Sequence, residues 1–263
     1  MKNFKFLLLL CGILIFFISA NAGVQIKIKN ESGTDKDMTT DIRLADNSVR
    51  IEITGKTQNM IIIFRKDKRL MWVINKKQKS YSEITEKDLK KIKNQLEKFE
   101  EQMKNMPAEQ RKMMEQMMQG KMPAAPKKEE ITYKKKETGI KINQWTSTHY
   151  EAFTNSEKIK DIWTADFGQL SVSEDDMKIL NEMGEFFKSI APEDPGFFNI
   201  GSKDWEEGKG FSGFPIRMIS YKSGKQTDKM DVLEIQTNKN FQNTIFDLPE
   251  GYNKTDHLQG KFR

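Results

Sequence analysis

The sequence predicts an α+β fold: one strongly curved antiparallel sheet, an open half-barrel, with helices packed on its concave side. Three observations predict it. Apolar and polar residues alternate in short runs, as at Val24, Ile26 and Ile28 and again at Val49, Ile51 and Ile53; a period of two places one set of side chains on a buried face. That rhythm gives way to helical spacing at Ile84, resumes at Ile131 and breaks again after Ser173. The regular strand–helix alternation of a doubly wound sheet is missing from this order. A sheet with so many strands curls, and its open side is either plugged by helices or left as an apolar groove.

Residues 1–22 have the form of a secretory signal. Lys2 and Lys5 precede the thirteen-residue apolar run from Phe6 to Ile18, and the small residues Ala20 and Ala22 follow. The run falls short of the roughly 20 apolar residues that a membrane span needs. A cut after Ala22 is expected, leaving a single periplasmic or secreted domain, 23–263, with no transmembrane segment once the signal is removed. Cys11 is the one cysteine. It lies inside the apolar core and follows Leu10, which departs from the small-residue pattern of a lipidation site. The mature chain then has no disulfide, and its stability comes from burial.

Charged residues at 31% and a mean hydropathy of −0.70 describe a heavily hydrated surface. Lysine and glutamate are interspersed, Lys134–Lys136 is the longest basic run, and Lys2 and Lys5 account for two of the six net positive charges. A nucleic-acid binder gathers its cations on one face, so nucleic acid is not an expected partner.

Among the strands, Met60–Phe64 and Leu70–Ile74 are apolar on both faces and are predicted to lie in the middle of the sheet, covered on each side. Turn signals at Asp46-Asn47, Thr54-Gly55-Lys56, Lys66-Asp67-Lys68 and Asn75-Lys76-Lys77 separate the runs. At Thr85 the spacing predicts a helix. Thr85 is its N-cap, Asp88 its N3 residue, and Ile84 staples onto Leu89. Leu89, Ile92, Leu96, Phe99 and Met103 then form one stripe. Pro107 starts a second helical piece rich in methionine. Gly120 ends it, so a helical insertion over about 85–120 is followed by a linker over about 120–130.

A second strand series runs from Ile131 to Phe167. Ser173 caps a helix carrying Met177, Ile179, Leu180, Met183, Phe186 and Phe187, which ends at Ile190. A turn-rich stretch follows from Pro192 to Gly213. Phe214–Tyr221 and Met230–Gln236 read as a hairpin across Lys222–Lys225.

Catalytic and metal-binding patterns are sought and not found. His149 and His257 are the only histidines, too few for a zinc site; His149 reads as a sheet residue with a local hydrogen bond. Ser212 in Gly210-Phe211-Ser212-Gly213-Phe214 misses the nucleophile elbow, which requires glycine where Phe214 stands. Glu174-Asp175-Asp176 occupies a first helical turn, where acidic groups favour the dipole. No enzyme activity, cofactor or metal is expected.

Val49-Arg50-Ile51-Glu52, Ile61–Phe64, Leu70–Asn75, Lys79–Ile84, Met106–Gln110, Gly213–Arg217 and the closing Phe246, Leu248, Pro249, Gly251 and Tyr252 form a loose pattern over most of the mature chain. Together these segments resemble the DUF4412 family of exported bacterial proteins and, more distantly, the LolA-like half-barrel lipoprotein carriers. The resemblance implies a curved sheet with helices in it and a place in the cell envelope. In LolA-like carriers the concave face shelters acyl chains.

Seven of the fifteen methionines fall between Met103 and Met122. Three readings stay open: gap-filling core, a pliable surface for an acyl chain or a protein, and thioether coordination of Cu(I). The leading expectation is a non-catalytic periplasmic binding protein that shelters an apolar ligand, a lipid or a lipidated partner, between sheet and Met-rich helix. Phe64, Trp72, Leu96, Phe99, Met103, Met113 and Met117 are its candidate lining. The alternatives are a structural or protein-interaction module of the envelope with a filled core, and a Cu(I)-binding protein.

Overall fold

The computed structural model describes residues 22–33, 35–107, 109–110, 113, 131–187 and 211–255. The expected signal, Cys11, the linker, Met114, Met117, Met118, Met122, Ile190, residues 192–210 and His257 lie outside the described residues.

Among the described residues, twelve strands form one open sheet. The first six are β1 (Ala22–Ser32), β2 (Asp35–Ala45), β3 (Ser48–Thr54), β4 (Asn59–Arg65), β5 (Leu70–Asn75) and β6 (Ser80–Thr85). Helix α1 (Glu86–Asn105) separates them from β7 (Ile131–Ile142), β8 (Trp145–Thr154) and β9 (Glu157–Ala165). Helices α2 (Phe167–Leu170) and α3 (Glu174–Phe187) precede the hairpin of β10 (Phe214–Lys222) and β11 (Lys225–Asn240). A 3-10 turn (Asn243–Phe246) leads to β12 (Asn253–Lys254).

The spatial order is β12-β6-β5-β4-β3-β2-β1-β11-β10-β9-β8-β7. Two meanders are thus joined where β1 pairs antiparallel with β11, and only the short β12–β6 pair is parallel. Two-residue turns close several hairpins. Ser223 and Gly224 both have positive φ, as do Asn155 and Ser156, the backbone that matches the right-handed twist of flanking strands.

The second strand series opens with one long continuous strand, β7, with two register shifts against β8. A bulge absorbs an extra residue without ending the pairing. In β2, Met38, Ile42 and Leu44 are the only large apolar residues, so its period is thin. Its place is held by neighbours on both sides.

The sheet has two differently covered faces. On one lies the main core: Val24, Ile26 and Ile28, Ile42 and Leu44, Val49 and Ile51, Phe214 and Ile216, and Val232. Met177, Ile179, Leu180 and Met183 of α3 pack into it, and α3 lies against β2 and β3. On the other face Ala45, Ile61, Ile63, Trp72 and Ile74 form a second cluster beneath Phe246, with Phe241, Leu248 and Tyr252 around it. The predicted two-sided burial of β4 and β5 follows from this arrangement. The C-terminal segment supplies the second cover. It is fastened by the Arg65 guanidinium, which donates to the Asp247 carboxylate (2.6 Å), and by Arg50, which donates to the Ile245 carbonyl (3.0 Å).

Candidate apolar site at the first helix

Helix α1 starts as its residues dictate. The Thr85 hydroxyl accepts from the Asp88 backbone N–H (3.3 Å), and the Asp88 carboxylate accepts from the Thr85 N–H (3.1 Å), a complete capping box. The hydrogen bonds from Thr85 act against a smaller effect of burial and hold the Asp88 carboxyl below the usual carboxylate range. Arg69 donates to Glu86 (2.7 Å). Leu89 is 2% exposed and joins Ile84 in the main core. The base of the helix is therefore pinned, and the strand it meets is β6.

Beyond that first turn the stripe is covered less. Ile92, Phe99 and Met103 are half-buried, as is Met106 at the C-cap, and Met113 is 64% exposed. The polar residues between them are mostly exposed lysine and glutamate. An amphipathic helix of 20 residues, about 30 Å long by its rise, thus buries Leu89 fully and leaves Ile92, Phe99 and Met103 half covered.

The seven candidate lining residues do not form one wall. Phe99 and Met103 share the α1 stripe, and Met113 follows the end of α1 in the chain. Phe64 is on the same face of the sheet as Leu89, but its ring meets Phe186 of α3 at 5.4 Å. Trp72 is on the opposite face. It pairs with Ile63 across β4–β5, whereas Phe64 pairs with Met71, and directly opposed residues share a face. The Trp72 indole N–H donates to Glu83 (2.9 Å), and Lys68 sits 5.5 Å over its ring. The side chain of Leu96, and Met117 altogether, lie outside the described residues.

A cavity of about 350 Å³ opens elsewhere, between the start of α3 and the adjoining ends of β1 and β2. Gly23, Leu44, Lys66, Asp175, Ile179 and Glu182 contribute to its lining, and Lys66 donates to Glu182 across it (2.9 Å). Its charged walls suit water and ions better than an acyl chain. Asp176 at its rim completes a second capping box, accepting from the Ser173 N–H (2.7 Å) and hydroxyl (2.8 Å). The acidic triplet is thereby explained as a helix start.

His149 has the local hydrogen bond expected of it. Its Nε2 lies 2.9 Å from the buried Asp161 carboxylate, and its ring stacks on Trp163 at 4.5 Å. Asp161 also accepts from Tyr221 (2.7 Å) and Lys158 (3.0 Å). Burial works to raise the Asp161 carboxyl, but the bonds from Tyr221, His149 and Lys158 together outweigh it and hold it below its ordinary value. The same contact, added to burial, pushes the Tyr221 phenol up. The network links β8, β9 and β10 and continues through Lys158 to Glu151 (3.5 Å) and from there to Lys136 (3.3 Å). The Ser212 hydroxyl meets the Tyr150 phenol (3.2 Å). Among the described residues no three His, Cys, Asp or Glu side chains converge as a metal site, and no helix is long and apolar enough to cross a membrane.

Comparison with known proteins finds one partial family match and distant structural likenesses. Residues 176–252, from α3 to Tyr252, match the model described as a domain of unknown function, DUF4412. The Gly213–Arg217 segment and the closing pattern fall within the match, and the similar segments between Val49 and Gln110 lie before it. No curated protein matches. An uncharacterized conserved protein from Thermus thermophilus superposes with a TM-score of 0.46 at 6% identity, over 89% of this chain and 90% of that one. MucB in the MucA/MucB complex of Pseudomonas aeruginosa gives 0.39 at 8% identity, over 88% of this chain and 57% of that one. A LolA superfamily protein from Nitrosomonas europaea gives 0.27 at 9% identity, over 88% and 92%. All three are distant likenesses, and the functional reading rests on the geometry.

Proposed function

We propose that this chain is a non-catalytic binding protein of the bacterial cell envelope. It shelters an apolar ligand, a lipid or a lipid-modified partner, between the stripe of α1 and the helix-covered face of the sheet. That face is the concave one in this reading, since a sheet of twelve strands curls about the side its helices fill. Residues 1–22 export the chain and are cut off after Ala22.

One observation carries the reading. α1 is pinned by Leu89 and its capping box, while Ile92, Phe99 and Met103 stay half in water and Met113 mostly so. Apolar side chains at helical spacing gain about 25 cal/mol for each Å² removed from water. A stripe left half covered retains part of that driving force for a ligand. The lining comprises Phe99, Met103 and Met113, with Leu96 and Met117 by spacing; Phe64, 2% exposed and covered by Phe186, lies behind it. Trp72, on the opposite face, leaves the list.

Native mass spectrometry of the protein purified from cells tests this. The expected result is a co-purifying lipid mass, or uptake when a long-chain fatty acid or a lipopeptide is titrated in. A clean apo mass with no uptake would sink the carrier reading. A structural or protein-interaction module is the second reading. It is favoured by the Phe64–Phe186 contact, which shows α3 already filling that part of the sheet. In that case the α1 stripe meets a protein surface and takes up no lipid.

A further inference from the structure

The methionines divide by accessibility. Met71, Met177, Met183 and Met230, in the sheet and α3, are between 1% and 8% exposed. Met38, Met60 and Met218 are half-buried in the sheet. Met103 and Met106 are half-buried at the end of α1, and Met113 beyond it is, among the described residues, the methionine standing furthest into water. Exposure governs thioether oxidation, so this gradient orders their reactivity.

We infer that Met113, and after it Met103 and Met106, are reversibly oxidised by hydroperoxides, and that their oxidation state sets how strongly the α1 stripe holds apolar surface. In the forward step the thioether sulfur attacks the terminal oxygen of the hydroperoxide. The O–O bond breaks, an S–O bond forms, and the sulfur loses two electrons. The other peroxide oxygen leaves as water, or as the alcohol, after taking the proton. The product is a sulfoxide, polar where the thioether was apolar. In the reverse step a methionine sulfoxide reductase uses two thiols. The oxygen departs as water, the thiols become a disulfide and the thioether is restored.

The placement makes the effect local. Met103 closes the stripe that Phe99 belongs to, and Met106 is the C-cap residue of α1. A sulfoxide at either position puts a strong hydrogen-bond acceptor on a face that otherwise presents carbon and sulfur. Met71, Met177, Met183 and Met230 stay shielded in the core, while Met38, Met60 and Met218, half-buried in the sheet, serve as the internal comparison for Met103 and Met106. The regulatory half of the inference rests on the proposed binding function; the selectivity of oxidation rests on the exposure gradient alone.

The test treats the purified protein with dilute hydrogen peroxide and follows each methionine by peptide mass mapping over time. Met113 is expected to oxidise first, and Met103 and Met106 well before Met71, Met177, Met183 and Met230. Core methionines reacting as fast as Met113 would overturn the inference. In parallel, fluorescence of the apolar dye anilinonaphthalene sulfonate is measured before oxidation, after it, and after reductase treatment. A fall of severalfold on oxidation, recovered by the reductase and absent in M103L/M106L/M113L, is expected. Unchanged dye binding in the oxidised protein would overturn the regulatory role. No dye binding before oxidation would sink the carrier reading and the regulatory role with it, while the oxidation map would still decide the site.

Discussion

Replacing Leu89 by alanine tests whether α1 is held chiefly by its base. The side chain is 2% exposed and lies in the main core with Ile84. The substitution removes three buried carbons, about 2.4 kcal/mol at about 0.8 kcal/mol each. The residual cavity brings the cost to about 3 kcal/mol, inside the range for buried leucines. Met103→Ala removes the same number of heavy atoms from a half-buried position, so its cost is about 1 kcal/mol. Urea unfolding followed by circular dichroism separates the two. With a slope of about 2 kcal/mol/M, the midpoint falls by about 1.5 M for Leu89→Ala and about 0.5 M for Met103→Ala. Equal shifts would mean that the far end of the helix is packed as firmly as its base. The accessible stripe, and the reasoning built on it, would then be refuted.

Acid stability follows from the carboxylates. Glu52, Glu83, Asp88 and Asp161 are all held below their ordinary values. The unfolded chain therefore binds more protons, and the stability they contribute is full above about pH 4 and is lost as pH falls through the folded-state values. Unfolding midpoints from pH 7 to pH 3 should drop, with a shallower drop below about pH 4 in Asp161→Asn; an identical slope in that variant would contradict the network's role. Phe246→Ala removes the 3% exposed centre of the second cluster and is expected to cost about 3 kcal/mol, read as a lowered melting temperature. Gly23→Ala puts a Cβ 2.5 Å from the Leu44 carbonyl oxygen and from the Phe241 ring. Such overpacking costs about 1–3 kcal/mol, and a melting temperature equal to that of the unaltered protein would show that the backbone there yields.

By itself the sequence determined what is decided between near neighbours in the chain. Thr85 with Asp88, and Ser173 with Asp176, mark helix starts because an N-cap needs only a residue three positions on. The alternation at Val24–Ile28 and Val49–Ile53 names the buried side chains because the pleat has a period of two. The hairpin at Ser223-Gly224 is legible because two successive residues must accept positive φ. Tertiary structure alone decided the rest. The pairing of β1 with β11 joins segments about two hundred residues apart, and no local signal selects one strand edge over another. The cover on Ile61, Ile63 and Trp72 comes from a C-terminal segment too short and aperiodic to announce its partner. Phe64 and Trp72 look alike in the sequence because both strands are apolar on both faces. Only the register across the Lys66–Arg69 turn places them on opposite sides of the sheet. Local periodicity says that a side chain is buried; what it is buried against depends on long-range packing summed over the whole chain.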